Sequence, residues 1–302
     1  GHKYGLSLHC PVMPASGTIG YGDSYTGLID YSLLGAVVTN PVSLRPRKAA
    51  RGRRLHIYHD HVVVHTGLPN PGVREVIRKY RQLWERLPCP VIAHIMATTP
   101  NETAEVVSRL SSVTGVIGIE LGFADYTLPE KAVRLFRAAA QGTLPVIAKI
   151  PFGRVDIMAP LLAAEGVSAL TLTAPPRVVL PPEQSLRDQD AKFYRGRLYG
   201  PSLLPFLLET LSRWVSKLPV PVIACGGIRT AQQVMACMNL GATAVQIDAV
   251  IWRTPGVLNQ IIHELPQMVN SLVNESINEE DGVDDSHMEG PGNSVRYPLD
   301  IA

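Results

Sequence analysis

Short apolar runs recur along the chain at intervals that leave room for a helix between them. Candidate strands are Gly35–Thr39, Val91–Ile95, Gly118–Leu121, Val146–Ile150, Ala169–Thr173, Val222–Cys225 and Ala244–Ile247. Several are rich in Val and Ile and apolar throughout, as strands covered on both faces are in a parallel sheet flanked by helices. Helix starts lie between them. Thr99-Pro-Asn-Glu102 supplies an N-cap, a proline in the first turn and a glutamate at the third position, and Thr127-Leu-Pro-Glu130 repeats the arrangement. This alternation predicts an α/β fold, a (β/α)8 TIM barrel over residues 1–265. His56–Val64 alternates like a hairpin inserted near the N-terminal side, and Pro175–Gly200, rich in Pro, Arg and Asp, reads as a long loop.

Residues 266–302 break the pattern. Between Glu275 and Glu289 there are seven acidic residues, and no Lys or Arg occurs between Arg253 and Arg296, so a solvated, partly disordered tail is expected. Tyr297-Pro-Leu-Asp-Ile301 closes it with apolar residues that dock on the body or on a partner, or stay free.

Composition narrows the function classes. At 302 residues and 46% hydrophobic, the chain suits one large core, and a net charge of +2 gives no argument for nucleic acid. The cluster Arg45, Arg47, Lys48, Arg51, Arg53 and Arg54 reads as a solvated loop. Four scattered cysteines, Cys10, Cys89, Cys225 and Cys237, have neither metal nor disulfide-framework spacing, which suits a reducing cytoplasm. With no apolar run near membrane-span length and no signal-peptide pattern, a cytoplasmic protein without a membrane partner is expected. His59, His61 and His65 would share one face if their segment were a single strand, but the spacing fits no strong zinc signature, and no metal is expected.

The chemistry concentrates near the ends of the apolar runs. Pro221-Val-Ile-Ala-Cys225-Gly226-Gly227 reads as a buried strand ending in paired glycines, with Thr230 and Gln233 as a capping box for the next helix. Glycines there let backbone N–H groups approach an anion, as in the phosphate site of a β/α barrel. Lys149 ends the apolar run Val146-Ile-Ala-Lys149 and needs an anionic or carbonyl partner if buried, either a reduced cofactor or a structural carboxylate such as Glu120.

Several motifs in one order resemble a known family. Pro11-Val-Met-Pro-Ala15-Ser16-Gly17-Thr-Ile-Gly20-Tyr-Gly22, Gly35-Ala-Val-Val-Thr39, Gly67-Leu-Pro-Asn70-Pro-Gly72, Gly118-Ile-Glu-Leu121, Lys149, Gly200-Pro201 and Cys225-Gly226-Gly227-Ile228 are similar to the FMN-dependent class 1 dihydroorotate dehydrogenases. The resemblance implies FMN across the C-terminal strand ends, with Ala15, Ser16 and Gly17 against its ring and Lys149 at the polar edge. It implies a phosphate cradle of Gly200, Gly226 and Gly227, with Cys225 on the phosphate side. A small-molecule substrate is implied too, and a homo-oligomer is left open.

The departures bear on activity. Val64, Gly122 and Ala174 stand where the family's substrate-binding asparagines are expected, and the short stretch Gly122–Tyr126 after Leu121 lacks the family's catalytic cysteine. Asp125 and Tyr126 are the replacement acid–base candidates on that loop, with His65 and His94 as further proton donors. Asn40 stands in place of a flavin-contacting lysine, His94 near that of a flavin-contacting asparagine, and Asp248-Ala249 in place of the Gly-Thr pair that completes the phosphate cup. Two readings follow. One is an FMN oxidoreductase acting on CH–CH bonds of a changed substrate, and the other a non-catalytic barrel relative serving as a scaffold or regulatory partner.

Overall fold

The computed structural model describes residues 6–96, 98–181, 193–267 and 300–301. In chain order its elements are β1 (Leu6–Ser7), β2 (Val12–Pro14), β3 (Val37–Val38), β4 (Leu55–Tyr58), β5 (His61–Val64), α1 (Val73–Arg86), β6 (Val91–Met96), α2 (Pro100–Leu110) and β7 (Val116–Gly122). Then follow α3 (Pro129–Ala139), β8 (Val146–Pro151), α4 (Val155–Ala164), β9 (Ala169–Ala174), β10 (Arg177–Leu180), β11 (Tyr194–Tyr199) and α5 (Leu203–Trp214). The remainder is β12 (Val222–Cys225), α6 (Ala231–Asn239), β13 (Ala244–Ile247), α7 (Val250–Arg253) and β14 (Asp300–Ile301), with helix also over 257–267.

Eight strands form one parallel sheet in the order β2-β13-β12-β9-β8-β7-β6-β3. Gly35 N–H donates to the Val12 carbonyl at 3.0 Å, which draws the two outer strands together into a nearly closed (β/α)8 barrel. A Cβ on Gly35 would stand 2.1 Å from the Cys10 carbonyl oxygen, so the seam needs glycine there. Gly35→Ala forces backbone movement, and a urea titration is expected to show a loss of about 1–3 kcal/mol.

The seven apolar runs all became barrel strands, and the eighth, β2, escaped the reading. Its three residues, Val12–Pro14, follow one proline and end in another and carry too little pattern to mark a strand. Both helices formed, but only one cap did: Thr99 Oγ1 accepts from Glu102 N–H at 3.3 Å, whereas α3 starts at Pro129 with Leu128, not Thr127, in the cap position and no side-chain cap bond.

Side chains in a strand alternate, and here the alternation sorts the barrel interior into layers. Met13, Val38, Ile92, Ile147, Ala169, Ile223 and Ala244 make a buried apolar floor, joined by Leu6 and Leu8 from the N-terminal segment. Leu6 lies against Gly118, where a Cβ would come within 3.2 Å of it. Two residues further along each strand the same inward row reads His94, Glu120, Lys149, Thr171, Cys225 and Gln246. The barrel therefore changes from oil to polar chemistry within one residue pair.

Residues 177–180 and 194–199, expected to be part of a long loop, are instead an antiparallel hairpin, with Arg177 opposite Arg197. β11 pairs with β5, and β5 with β4, giving a four-stranded sheet of order β10-β11-β5-β4 beside the barrel mouth. Pairing between insertions more than a hundred residues apart has no local signature. The His56–Val64 hairpin formed as read. Its turn puts His59 outside both strands, so His59, His61 and His65 do not share one strand face. The acidic stretch from Glu275 to Glu289 lies outside the described residues; Ile301 pairs with Leu6 and Asp300 with Ser7.

Candidate functional site

A cavity of about 380 Å3 opens at the C-terminal ends of the barrel strands, within the range of about 300–1,000 Å3 usual for small-molecule sites. Its floor is the polar layer. Glu120 Oε1 lies 2.7 Å from His94 Nδ1, and Glu120 Oε2 accepts from Thr171 Oγ1 at 2.9 Å and from Gln246 Nε2 at 2.5 Å. Lys149 Nζ donates to Gln246 Oε1 at 2.5 Å and stands 3.6 Å from Glu120 Oε1. All five side chains are buried.

Charge in this layer can be assigned. Burial alone would raise the Glu120 pKa, but the Lys149 charge and the bonds from His94 and Gln246 outweigh it and hold the carboxyl below the usual range. Burial would likewise lower Lys149, and the anionisable neighbours Cys225 and Glu120 outweigh it. Burial pushes the Cys225 thiol up to about 12, so at neutral pH it is uncharged and Glu120 is the anion that keeps Lys149 protonated. An ionised Glu120 also fixes the His94 ring: Nδ1 carries the hydrogen toward the carboxylate, and Nε2 points toward Gly122. The structural partner anticipated for Lys149 is therefore present, and Lys149 still lines the cavity.

His94 Nε2 occupies room that a side chain at position 122 would need. A Cβ on Gly122 would sit 2.7 Å from that nitrogen, so the imidazole fills the place a larger residue would take. Val64, Gly122 and Ala174 all line the cavity.

Ala15, Ser16, Gly17 and Asn40 also line the cavity. Ser16 Oγ donates to the Thr39 carbonyl at 2.7 Å, Gly17 at φ +94° has open space above it, and Asn40 Oδ1 is buried without a hydrogen-bond partner. A buried amide oxygen of this kind is an acceptor waiting for a donor.

At the end of β12, Gly226 (φ +138°) has nothing within 4 Å of where a Cβ would be. Gly227 (φ +75°) is packed instead: a Cβ there would meet Leu204 N at 2.7 Å and the Gly200 carbonyl at 2.9 Å. Its N–H donates to Asp248 Oδ2 at 3.3 Å. Asp248 is itself buried and lines the cavity, whereas Gly200, Gly226, Gly227 and Ala249 are not among its lining residues. Burial raises the Asp248 pKa, and bonds from the Gly227 and Ala249 amides only partly offset it.

The rim is built by the side sheet. Arg197 grips Asp125 with two bonds, 3.1 and 2.8 Å, and Arg177 Nε adds a third at 3.3 Å. Asp125 is thus a clamp between the β7–α3 loop and the hairpin, a poor setting for a free base. Tyr126, 83% exposed, also edges the cavity, as do His65 and Arg47. Sequence reading missed Tyr199 and Trp252, which meet edge-to-face at 5.1 Å, with Trp252 Nε1 donating to the Gly17 carbonyl at 3.3 Å. It also missed Thr171 and Gln246, each a single polar residue inside an apolar run. Among the described residues no group of three or more His, Cys, Asp or Glu could hold a metal, and no helix is long and apolar enough to cross a membrane.

The family model for dihydroorotate dehydrogenase matches residues 2–125 and 129–269. This chain belongs to the dihydroorotate dehydrogenase family. It is 31% identical over 288 residues to the dihydroorotate dehydrogenase B (NAD(+)) catalytic subunit of Desulforudis audaxviator, covering 91% of this chain and 94% of that one. It is also 31% identical over 286 residues to the catalytic subunit so named from Geobacillus kaustophilus, covering 89% and 90%. Among solved structures, the dihydroorotate dehydrogenase of Eimeria tenella in complex with ferulenol superposes with a TM-score of 0.73 at 16% identity, covering 89% of this chain and 85% of that one, which shows a shared fold. The family match lapses only over residues 126–128 within that span, inside the β7–α3 loop.

Proposed function

We propose that this dihydroorotate dehydrogenase relative is a flavin-dependent oxidoreductase whose substrate, a small molecule with a reducible or oxidisable carbon–carbon bond, is not dihydroorotate. The observation that carries the reading is Lys149, a buried ammonium kept charged by Glu120 and facing the cavity. Fixed positive charge in a water-poor site stabilises negative charge gathered next to it. The residues present fit a flavin ring: Lys149 and the unpartnered Asn40 Oδ1 offer polar partners, and the backbone of Ala15–Gly17 is open to approach. A flavin bound there supplies two-electron redox chemistry.

The protein's own residues supply the rest. His94 Nε2 accepts or returns a proton at the cavity wall, while Glu120 holds the ring by Nδ1 and steadies the imidazolium. On this reading the proton step falls to His94 rather than to Asp125, which Arg177 and Arg197 engage, or to exposed Tyr126. Val64, Gly122 and Ala174 present apolar surface to the substrate, where hydrogen bonds would be needed for a doubly amidic ring. The NAD(+) in the relatives' name makes a nicotinamide-coupled electron acceptor the first to test.

Purified protein incubated with flavin is expected to retain it at about one per chain, with absorbance near about 450 nm. A panel of dihydro compounds should then contain one that bleaches that band. Protein that takes up no flavin at high micromolar concentration would overturn the reading and favour the scaffold alternative.

A further inference from the structure

We propose that the Asp248 carboxylate is the resident anion of the glycine cradle at the end of β12, and that the chain therefore takes riboflavin in preference to FMN. The proposal rests on the flavin reading and adds which flavin the site selects.

The geometry carries it. An anion cradle works by aiming backbone N–H groups at one point, and the close packing of Gly227 against Leu204 and Gly200 fixes where its amide aims. That amide already donates to Asp248 Oδ2 at 3.3 Å. Gly226 leaves open space beside that amide, and the carboxylate already engages the donor. A phosphate entering there loses that donor and meets a like charge.

Nothing nearby reconciles the two anions. The groups that bear on Asp248 are the Gly227 and Ala249 amides, Lys149, Cys225 and Tyr199. Burial pushes both the Cys225 thiol and the Tyr199 phenol up to about 12, so both are neutral. Lys149 is committed to Gln246 and Glu120. Arg229 and Arg253, the nearest arginines in sequence, are exposed to solvent, and neither is among the groups that bear on Asp248. Riboflavin carries no phosphate and meets no such opposition. The buried carboxyl already accepts a proton more readily than an ordinary aspartate, so FMN binding should improve as pH falls, while riboflavin binding should not follow.

The test is a pair of fluorescence-quenching titrations, riboflavin and FMN, on flavin-stripped wild type, Asp248→Asn and Asp248→Gly, each checked for an intact thermal transition. Wild type is expected to bind riboflavin at least about tenfold more tightly than FMN, and both variants to gain about tenfold or more for FMN with riboflavin nearly unchanged. FMN uptake by Asp248→Gly alone would also support the proposal. Wild type that prefers FMN, or a preference that both variants leave untouched, overturns it while the flavin reading stands. Failure of all three proteins to bind either flavin overturns both.

Discussion

Glu120→Ala is expected to cost about 3–5 kcal/mol of folding stability, because it strips a buried ammonium of its counter-ion and leaves three further donors facing a void. Glu120 is fully buried and is the shared acceptor for Thr171, Gln246 and His94 as well as the anion beside Lys149. Equilibrium urea denaturation measures the loss. The double variant E120L/K149M removes both charges and fills the space with apolar volume, and at least half the loss should return, as it does when a buried pair is replaced whole. A single variant within about 1 kcal/mol of wild type would show that the layer is not a coupled unit. The pH dependence has a definite sign. The folded-state pKa of Glu120 is depressed, so its contribution is present above the unfolded value of about 4.3 and is lost as pH falls through the folded value. The gap between wild type and Glu120→Ala should therefore narrow on acidification.

Dihydroorotate is expected to leave flavin-loaded protein unreduced on the timescale of an ordinary turnover. General-base catalysis contributes about 10²–10⁴-fold, and none of the four cysteines sits on the β7–α3 loop. Cys225 lines the cavity, but at the end of β12 and with its thiol pushed to about 12 it cannot replace a base there. Val64, Gly122 and Ala174 add a loss of substrate hydrogen bonds, each worth about 0.5–1.5 kcal/mol. Stopped-flow absorbance with dihydroorotate is the direct measurement. Bleaching at a rate near about 10 s⁻¹, the median for enzymes, would mean that His94 serves the original substrate well.

How much of this was legible depends on where each signal lives. Seven barrel strands were readable because burial on both faces writes an apolar run into the chain, as in Val146–Ile150. Lys149 and the paired glycines were readable because they interrupt such runs at their ends. Thr171 and Gln246 were not, since one polar residue within Ala169–Ala174 or Ala244–Ile247 looks like an accident until the barrel closes and both donate to Glu120. The candidates on the β7–α3 loop were found by position, but only three-dimensional pairing discloses that Arg197, 72 residues away, holds Asp125. Asp248 stands out in the chain as a departure from the family pattern, yet the amide it engages, Gly227, is 21 residues away and leaves no local trace.

The sheet at the mouth bears on how this barrel can be recombined with its relatives. Hairpin β4–β5 enters between β3 and α1, and hairpin β10–β11 between β9 and α5, yet Val62, Val63 and Val64 pair with Tyr199, Leu198 and Arg197 in one ladder. Gly196 keeps that ladder tight, since a Cβ there would lie 2.7 Å from Val63 Cγ1. A slip of one residue would turn Arg197 and Tyr199 away from the cavity and Leu198 into it. The two insertions thus form a single heritable module, and a chimera that imports one without the other inherits half a wall.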